Sequence, residues 1–250
     1  MSTVTKVVQM IKNPSQFISI GEFKQNQFND EFVLNEAEVL KGNIVGIAVD
    51  DLARTILTKN ANKAFFASLT GARNIGLEKM AKDLLDNVTG TDDLSILNAC
   101  KLAHFDILYR SPATAAAYFK LPNKLELDQA TTENIRILVN RTLAYLSSKG
   151  PLIDCGFSFE GGYTDLITAG DGDYICGDTM IDVKVLKQKF LSGHALQVLI
   201  YYLLGLNTEE EEYTEIKHLA LFNPRLNIEY VIDITDIPEE QIIALKNLVF

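Results

Sequence analysis

The chain has 250 residues, 47% hydrophobic and 22% charged, the balance of a globular protein large enough for one sizeable domain or a core with a helical elaboration. No apolar run approaches the ~20 residues of a membrane-crossing helix, and the opening Met-Ser-Thr-Val-Thr-Lys lacks the basic-then-apolar layout of a secretory signal, so a cytoplasmic protein without membrane contact is expected. The net charge of −10 argues against a protein that coats nucleic acid nonspecifically, since attraction to phosphate supplies most such affinity, but leaves room for a local basic groove.

Residues 1–40 read as irregular, with a turn at Asn13-Pro14. Asn43 is a cap for a helix beginning near Ile44, where Ile44, Ile47, Ala48, Leu52, Ile56 and Leu57 recur at helical spacing. Further helices are expected over 77–88, 92–109, 112–120 and 128–148, the last started by Asp128 and ended by Gly150-Pro151. The expected organisation is a single domain over 1–250, with a helical insertion at 60–150 and a sheet core at 150–236. Cys100, Cys155 and Cys176 are odd in number and form no CxxC, which suggests buried free thiols rather than a disulfide or zinc framework. His104, between Ala103 and Phe105, reads as a satisfied core histidine.

Strands are expected at 153–160, 163–169, 172–176 and 179–186, then a helix at 194–204 stopped by Gly205. Strands at 216–222 and 228–234 follow, with Asn223-Pro224 as the turn between them. A last helix opens with Pro238 in its first turn. Helices, a strand meander, then helix, strand, strand and helix make an α/β (α+β) fold with a mixed central sheet flanked by helices.

Residues 170–185 carry most of the chemistry. Gly177-Asp178 between two β-prone runs predicts a two-residue hairpin, the glycine supplying the positive φ of a II′ turn. That turn sets Cys176 opposite Thr179, Ile175 opposite Met180, Tyr174 opposite Ile181 and Asp173 opposite Asp182. Lys184 shares the face of Asp182, with Asp171 across from it. Opposed carboxylates repel unless a cation lies between them, so the cluster suits a divalent metal beside a phosphate. Lys187 and Lys189 follow closely, as a basic patch or as a solvated loop. On the next helix Gln197 and Tyr201 are four apart and share a face. In so apolar a helix Gln197 needs a partner, either at the site or in a local backbone group. Arg225 in the Asn223-Pro224-Arg225 turn reaches a phosphate or lies in solvent.

Asp173, then Asp182-Val183-Lys184, then Gln197 and Tyr201 resemble the PD-(D/E)XK nuclease superfamily, most of all its RecB-type and phage exonuclease-like branch, in which Gln-x3-Tyr follows the D-x-K strand. The resemblance implies a restriction-endonuclease-like fold and metal-dependent (Mg or Mn) hydrolysis of DNA phosphodiesters. Asp173, Asp182 and the Val183 carbonyl would be metal ligands, Lys184 the catalytic lysine, and Gln197 and Tyr201 the helix motif. Tyr201, Lys187 and Arg225 are then candidate substrate contacts. Asp50, in Val45–Arg54, stands where the family's earlier helix supplies an acid, although glutamate is the usual residue and no histidine follows the glycine as in the RecB branch. The alternative is a non-catalytic module on the same fold, binding nucleic acid or a protein partner. Self-association is open.

Overall fold

The computed structural model describes residues 2–111, 119–120 and 122–250. Two compact units emerge: a sheet unit made of the chain up to Asn29 together with Ala144–Phe250, and a helical unit, Asp30–Leu143. In chain order the sheet unit begins with α1 (Val4–Met10) and β1 (Lys24–Gln27). The helical unit supplies α2 (Gly42–Thr58), α3 (Ala61–Ala64), α4 (Phe66–Asn74), α5 (Glu78–Leu85), α6 (Asp93–Arg110) and most of α7 (Gln129–Ser148). Then follow β2 (Leu152–Ser158), β3 (Asp171–Cys176), β4 (Thr179–Val183), α8 (Ser192–Leu206), β5 (His218–Asn223), β6 (Ile228–Asp233) and α9 (Glu239–Val249).

The six strands form one mixed sheet in the order β1-β6-β5-β4-β3-β2. Only β4 and β5 are parallel. Parallel neighbours need a crossover, and α8 provides it. Ala195 through Gly205 are all buried on α8, as expected of a helix apolar on every side. It packs against α1, β4 and β5. Strand alternation puts Ile175, Met180, Leu219, Leu221, Tyr230 and Ile232 on the face that α8 covers. Each such buried side chain contributes roughly 1.5–3 kcal/mol relative to exposure. The opposite face carries Tyr145 of α7, stacked on Phe222 at a ring distance of 3.9 Å. There Glu229, 1% exposed, accepts hydrogen bonds from the Tyr145 hydroxyl and from Asn26 and pairs with Lys149.

In the helical unit α4 lies closely on α6: a Cβ added to Gly71 would come 2.0 Å from the Phe105 carbonyl oxygen. Asp92 caps α6 by accepting the Leu94 and Ser95 N–H groups, and Asp128 caps α7 by accepting that of Thr131. His104 bonds the Cys100 carbonyl through Nδ1, and all three cysteines are buried free thiols.

The mixed sheet flanked by helices agrees with the expected fold class. Several expectations need correction. Residues 163–169 form no strand, because Thr164 turns the chain: its hydroxyl accepts the Leu166 and Ile167 N–H groups and its own N–H bonds the Ile167 carbonyl. Residues 1–40 hold α1 and β1. Gly205 lies inside α8 rather than ending it, and its bare face receives the Tyr213 ring. Pro238 is the N-cap of α9, not a first-turn residue. The helix expected over 112–120 falls mainly outside the described residues.

Candidate functional site

The site grows from the β3–β4 hairpin. Gly177 has φ +56° and Asp178 is not among the positive-φ residues, the pattern of a II′ turn. The register pairs Cys176 with Thr179, Ile175 with Met180 and Tyr174 with Ile181. Beyond Tyr174 the backbone ladder stops and a side chain takes over: Asp173 Oδ2 accepts the Val183 N–H at 2.9 Å. The N–H and C=O of an extended residue point to the same side, so the Val183 carbonyl is directed toward β3 as well. Asp182 is 2% exposed. Its Oδ1 accepts a hydrogen bond from Lys184 Nζ at 2.9 Å, and Oδ2 lies 2.7 Å from the same nitrogen. Asp173, Asp182 and Lys184 thus meet at the C-terminal end of β4, beside its parallel neighbour β5.

Two glycines let the chain close here. A Cβ on Gly170 would meet the Val4 side chain at 2.9 Å and Tyr201 at 3.4 Å, and one on Gly172 would enter the Phe157 ring at 2.1 Å. The Gly-Asp-Gly-Asp run therefore alternates close-packing points with carboxylates.

Helix α8 roofs the site. Gln197 Nε2 donates to the Tyr201 hydroxyl at 2.7 Å and to Thr5 Oγ1 at 3.3 Å. The buried Gln197 amide thus has partners in Tyr201 and α1 rather than in a local backbone group. Burial, then the charges of Asp182 and Asp173, hold the Tyr201 phenol well above its usual range, so it stays protonated. Asp171 adds a smaller push of the same sign, which sets the tyrosine within the field of all three carboxylates. His194 accepts the Leu191 N–H through Nδ1 at 2.9 Å, closing the first turn of α8. Burial, then the Lys184 charge, lower its pKa.

After Lys184 the chain leaves the sheet. Lys187 and Lys189 are exposed and Arg225 half-buried. Asp50 lies on α2 in the helical unit, where Arg54 holds its carboxylate at 2.7 Å. Among the described residues no group of three or more His, Cys, Asp and Glu side chains is placed to hold a metal ion. Sequence reasoning missed Thr5 because it left α1 unassigned. The signal was there: Thr3 caps the helix by accepting the Lys6 N–H, and Val4, Val7 and Val8 follow at helical spacing.

No helix among the described residues is long and apolar enough to cross a membrane. Comparisons of the chain with protein-family models, with curated proteins and with solved structures find no match.

Proposed function

We propose that the sheet unit is a phosphodiesterase acting on DNA with Mg or Mn, its centre formed by Asp173, Asp182 and Lys184. The observation that carries this reading is the bond of Asp173 to the amide next to Asp182, while Asp182 itself grips Lys184. Two carboxylates and an ammonium group share one strand end beneath a roof of Gln197 and Tyr201. A β2-β3-β4 meander, the α8 crossover and a parallel β5 supply the mixed, helix-flanked sheet that the PD-(D/E)XK resemblance implies.

The donor set fits magnesium or manganese: such ions take oxygen ligands and need only one or two protein carboxylates. Asp173, Asp182 and the Val183 carbonyl would hold the ion, with Lys184 yielding part of its hold on Asp182. When bound, the ion would polarise a phosphoryl oxygen and lower the pKa of a coordinated water. Lys184 offers positive charge to the pentacoordinate phosphate of the transition state. Gln197 fixes the Tyr201 hydroxyl, and the two keep bulk water from the buried side of the carboxylates.

The test uses the full chain with plasmid and oligonucleotide DNA in Mg or Mn. The wild type is expected to cleave, and Lys184→Ala to lose cleavage while keeping its circular dichroism and melting temperature. Equal cleavage by the variant would refute the role of Lys184. The second reading, a non-catalytic module, draws on the lack of a third acidic, histidine or cysteine ligand among the described residues. It predicts no calorimetric signal for Mn and no cleavage by either protein.

A further inference from the structure

The chain carries −10 overall, yet no Asp or Glu occurs in 183–208 or in 216–228. Those stretches hold Lys184, Lys187, Lys189, Lys217 and Arg225, of which Lys217 pairs with Asp178. A run of surface lysines is ordinarily a solvated loop, but here one buried side chain fixes its backbone. Asn223, fully buried at the end of β5, reaches across to the segment that follows β4. Its Nδ2 donates to the Leu186 carbonyl at 2.9 Å and the Gln188 carbonyl at 3.3 Å. Its Oδ1 accepts the Leu186 N–H at 3.3 Å, the Arg225 N–H at 3.0 Å and the Leu226 N–H at 3.4 Å. Gln27 of β1 donates to the Leu226 carbonyl at 2.9 Å, holding the turn from its other side. The Leu186–Gln188 backbone, which carries Lys187 and leads into Lys189, and the Arg225 turn are thus pinned together.

We infer that Lys187, Lys189 and Arg225 form a surface for the sugar–phosphate backbone of a nucleic acid, and that Asn223 is its positioning residue. The inference rests on the phosphodiesterase reading for its ligand class. Charge complementarity selects a polyanion: the body of the chain repels one, and this pinned edge attracts it. Several cations held apart on two linked loops suit successive phosphates of one strand better than a lone anion.

The test is fluorescence anisotropy of labelled single-stranded and duplex DNA with the full chain in EDTA, where no metal-dependent cleavage can enter. Each lost phosphate contact flattens the plot of log affinity against log salt by roughly 0.9 for duplex DNA, so affinity falls about three- to fourfold less between about 50 and 200 mM salt. Lys187→Ala with Lys189→Ala, both exposed positions, is expected to flatten the slope by close to two contacts, and Arg225→Ala by one. Asn223→Asp keeps the accepting oxygen but replaces the donating amide with a carboxylate oxygen that faces the Leu186 and Gln188 carbonyls, and should flatten the slope while Lys184 stays in place. Hydrogen exchange in the wild type tests the pin without any variant: the Leu186 and Arg225 amides should be protected. Wild-type slopes in the lysine and arginine variants, absence of DNA binding, or coil-like exchange of those amides would each overturn the inference. A flattened slope with no cleavage in Mg or Mn would refute the phosphodiesterase reading and leave this surface standing. Cleavage with unchanged slopes would do the reverse.

Discussion

Tyr145→Phe isolates one hydrogen bond beneath the strands that carry the site. The Tyr145 hydroxyl donates to Glu229 Oε1 at 2.7 Å, and both residues are buried, at 4% and 1% exposure. The ring stacks on Phe222, the β5 residue beside Val183, and phenylalanine keeps that packing. What is lost is a bond to a buried charged acceptor, worth about 1.5–3 kcal/mol. Glu229 retains Lys149 and Asn26, so the middle of that range, about 2 kcal/mol, is expected. Lys149→Met should cost more, about 3 kcal/mol, because it strips the only cation paired with Glu229 among the described contacts, discounted for the partial exposure of Lys149. Burial alone would raise the Glu229 pKa, but the bonds from Lys149, Asn26 and Tyr145 overcome it and hold the carboxyl below its usual range. Such a group adds stability above the unfolded value of about 4.3, and that stability is lost as pH falls through the folded value. Urea denaturation should therefore show the full cost of Tyr145→Phe at neutral pH and a shrinking cost below about pH 4. A loss under about 0.5 kcal/mol at neutral pH, or an equal loss in acid, would refute this account of the network.

Further outcomes follow from the same contacts. Asp51, 8% exposed on α2, has its pKa raised well above the carboxylate range by burial, then by Asp50. The native state binds its proton more tightly than the unfolded chain, so this group erodes stability as pH rises from the unfolded value through the folded one. Asp51→Asn should thus stabilise the protein at neutral pH by about 1–3 kcal/mol and be near neutral in acid; denaturation at both conditions checks it, and destabilisation at neutral pH would contradict it. Gly205→Ala would ordinarily strengthen a helix interior. Here the new Cβ falls 2.3 Å from the ring of the fully buried Tyr213, so a loss of about 1–3 kcal/mol is expected, and a raised melting temperature would show that the ring can move. Gln197→Ala should leave the Tyr201 hydroxyl without its donor and lower cleavage of DNA more than it lowers stability; unaltered cleavage would remove Gln197 from the site.

The parts of the fold written in local chemistry were legible in the sequence. Gly177-Asp178 marked the hairpin because glycine readily takes the positive φ that a II′ turn needs at its first central residue, and the pairs from Cys176–Thr179 to Tyr174–Ile181 followed from it, whereas the ladder ends before the expected Asp173–Asp182 pair. Asp128 marked a helix start through its own side-chain bond, whereas Asn43, read as a cap, lies inside α2, which begins at Gly42. The misses came where tertiary contact outweighs local pattern. Gly205 reads as a helix stop, yet it is bare to admit the Tyr213 ring. Residues 163–169 have strand composition, but the Thr164 hydroxyl bends them into a turn. Helix α1 is short, and much of its worth lies in packing on α8. The site shows the same division. Asp173, Asp182, Lys184, Gln197 and Tyr201 could be assembled from turn geometry and helix spacing, whereas the span of Asn223 from β5 to Leu186 and Gln188 crosses sequence distances that no local rule covers.

The most direct measurement is an anomalous difference map from crystals of the full chain soaked in Mn. The account predicts one strong peak within ligand distance of the Asp173 and Asp182 carboxylates, about 2.0–2.3 Å from their oxygens, with Lys184 drawn back from one oxygen of Asp182. No peak there, with the Lys184 pair unchanged at saturating Mn, would contradict it.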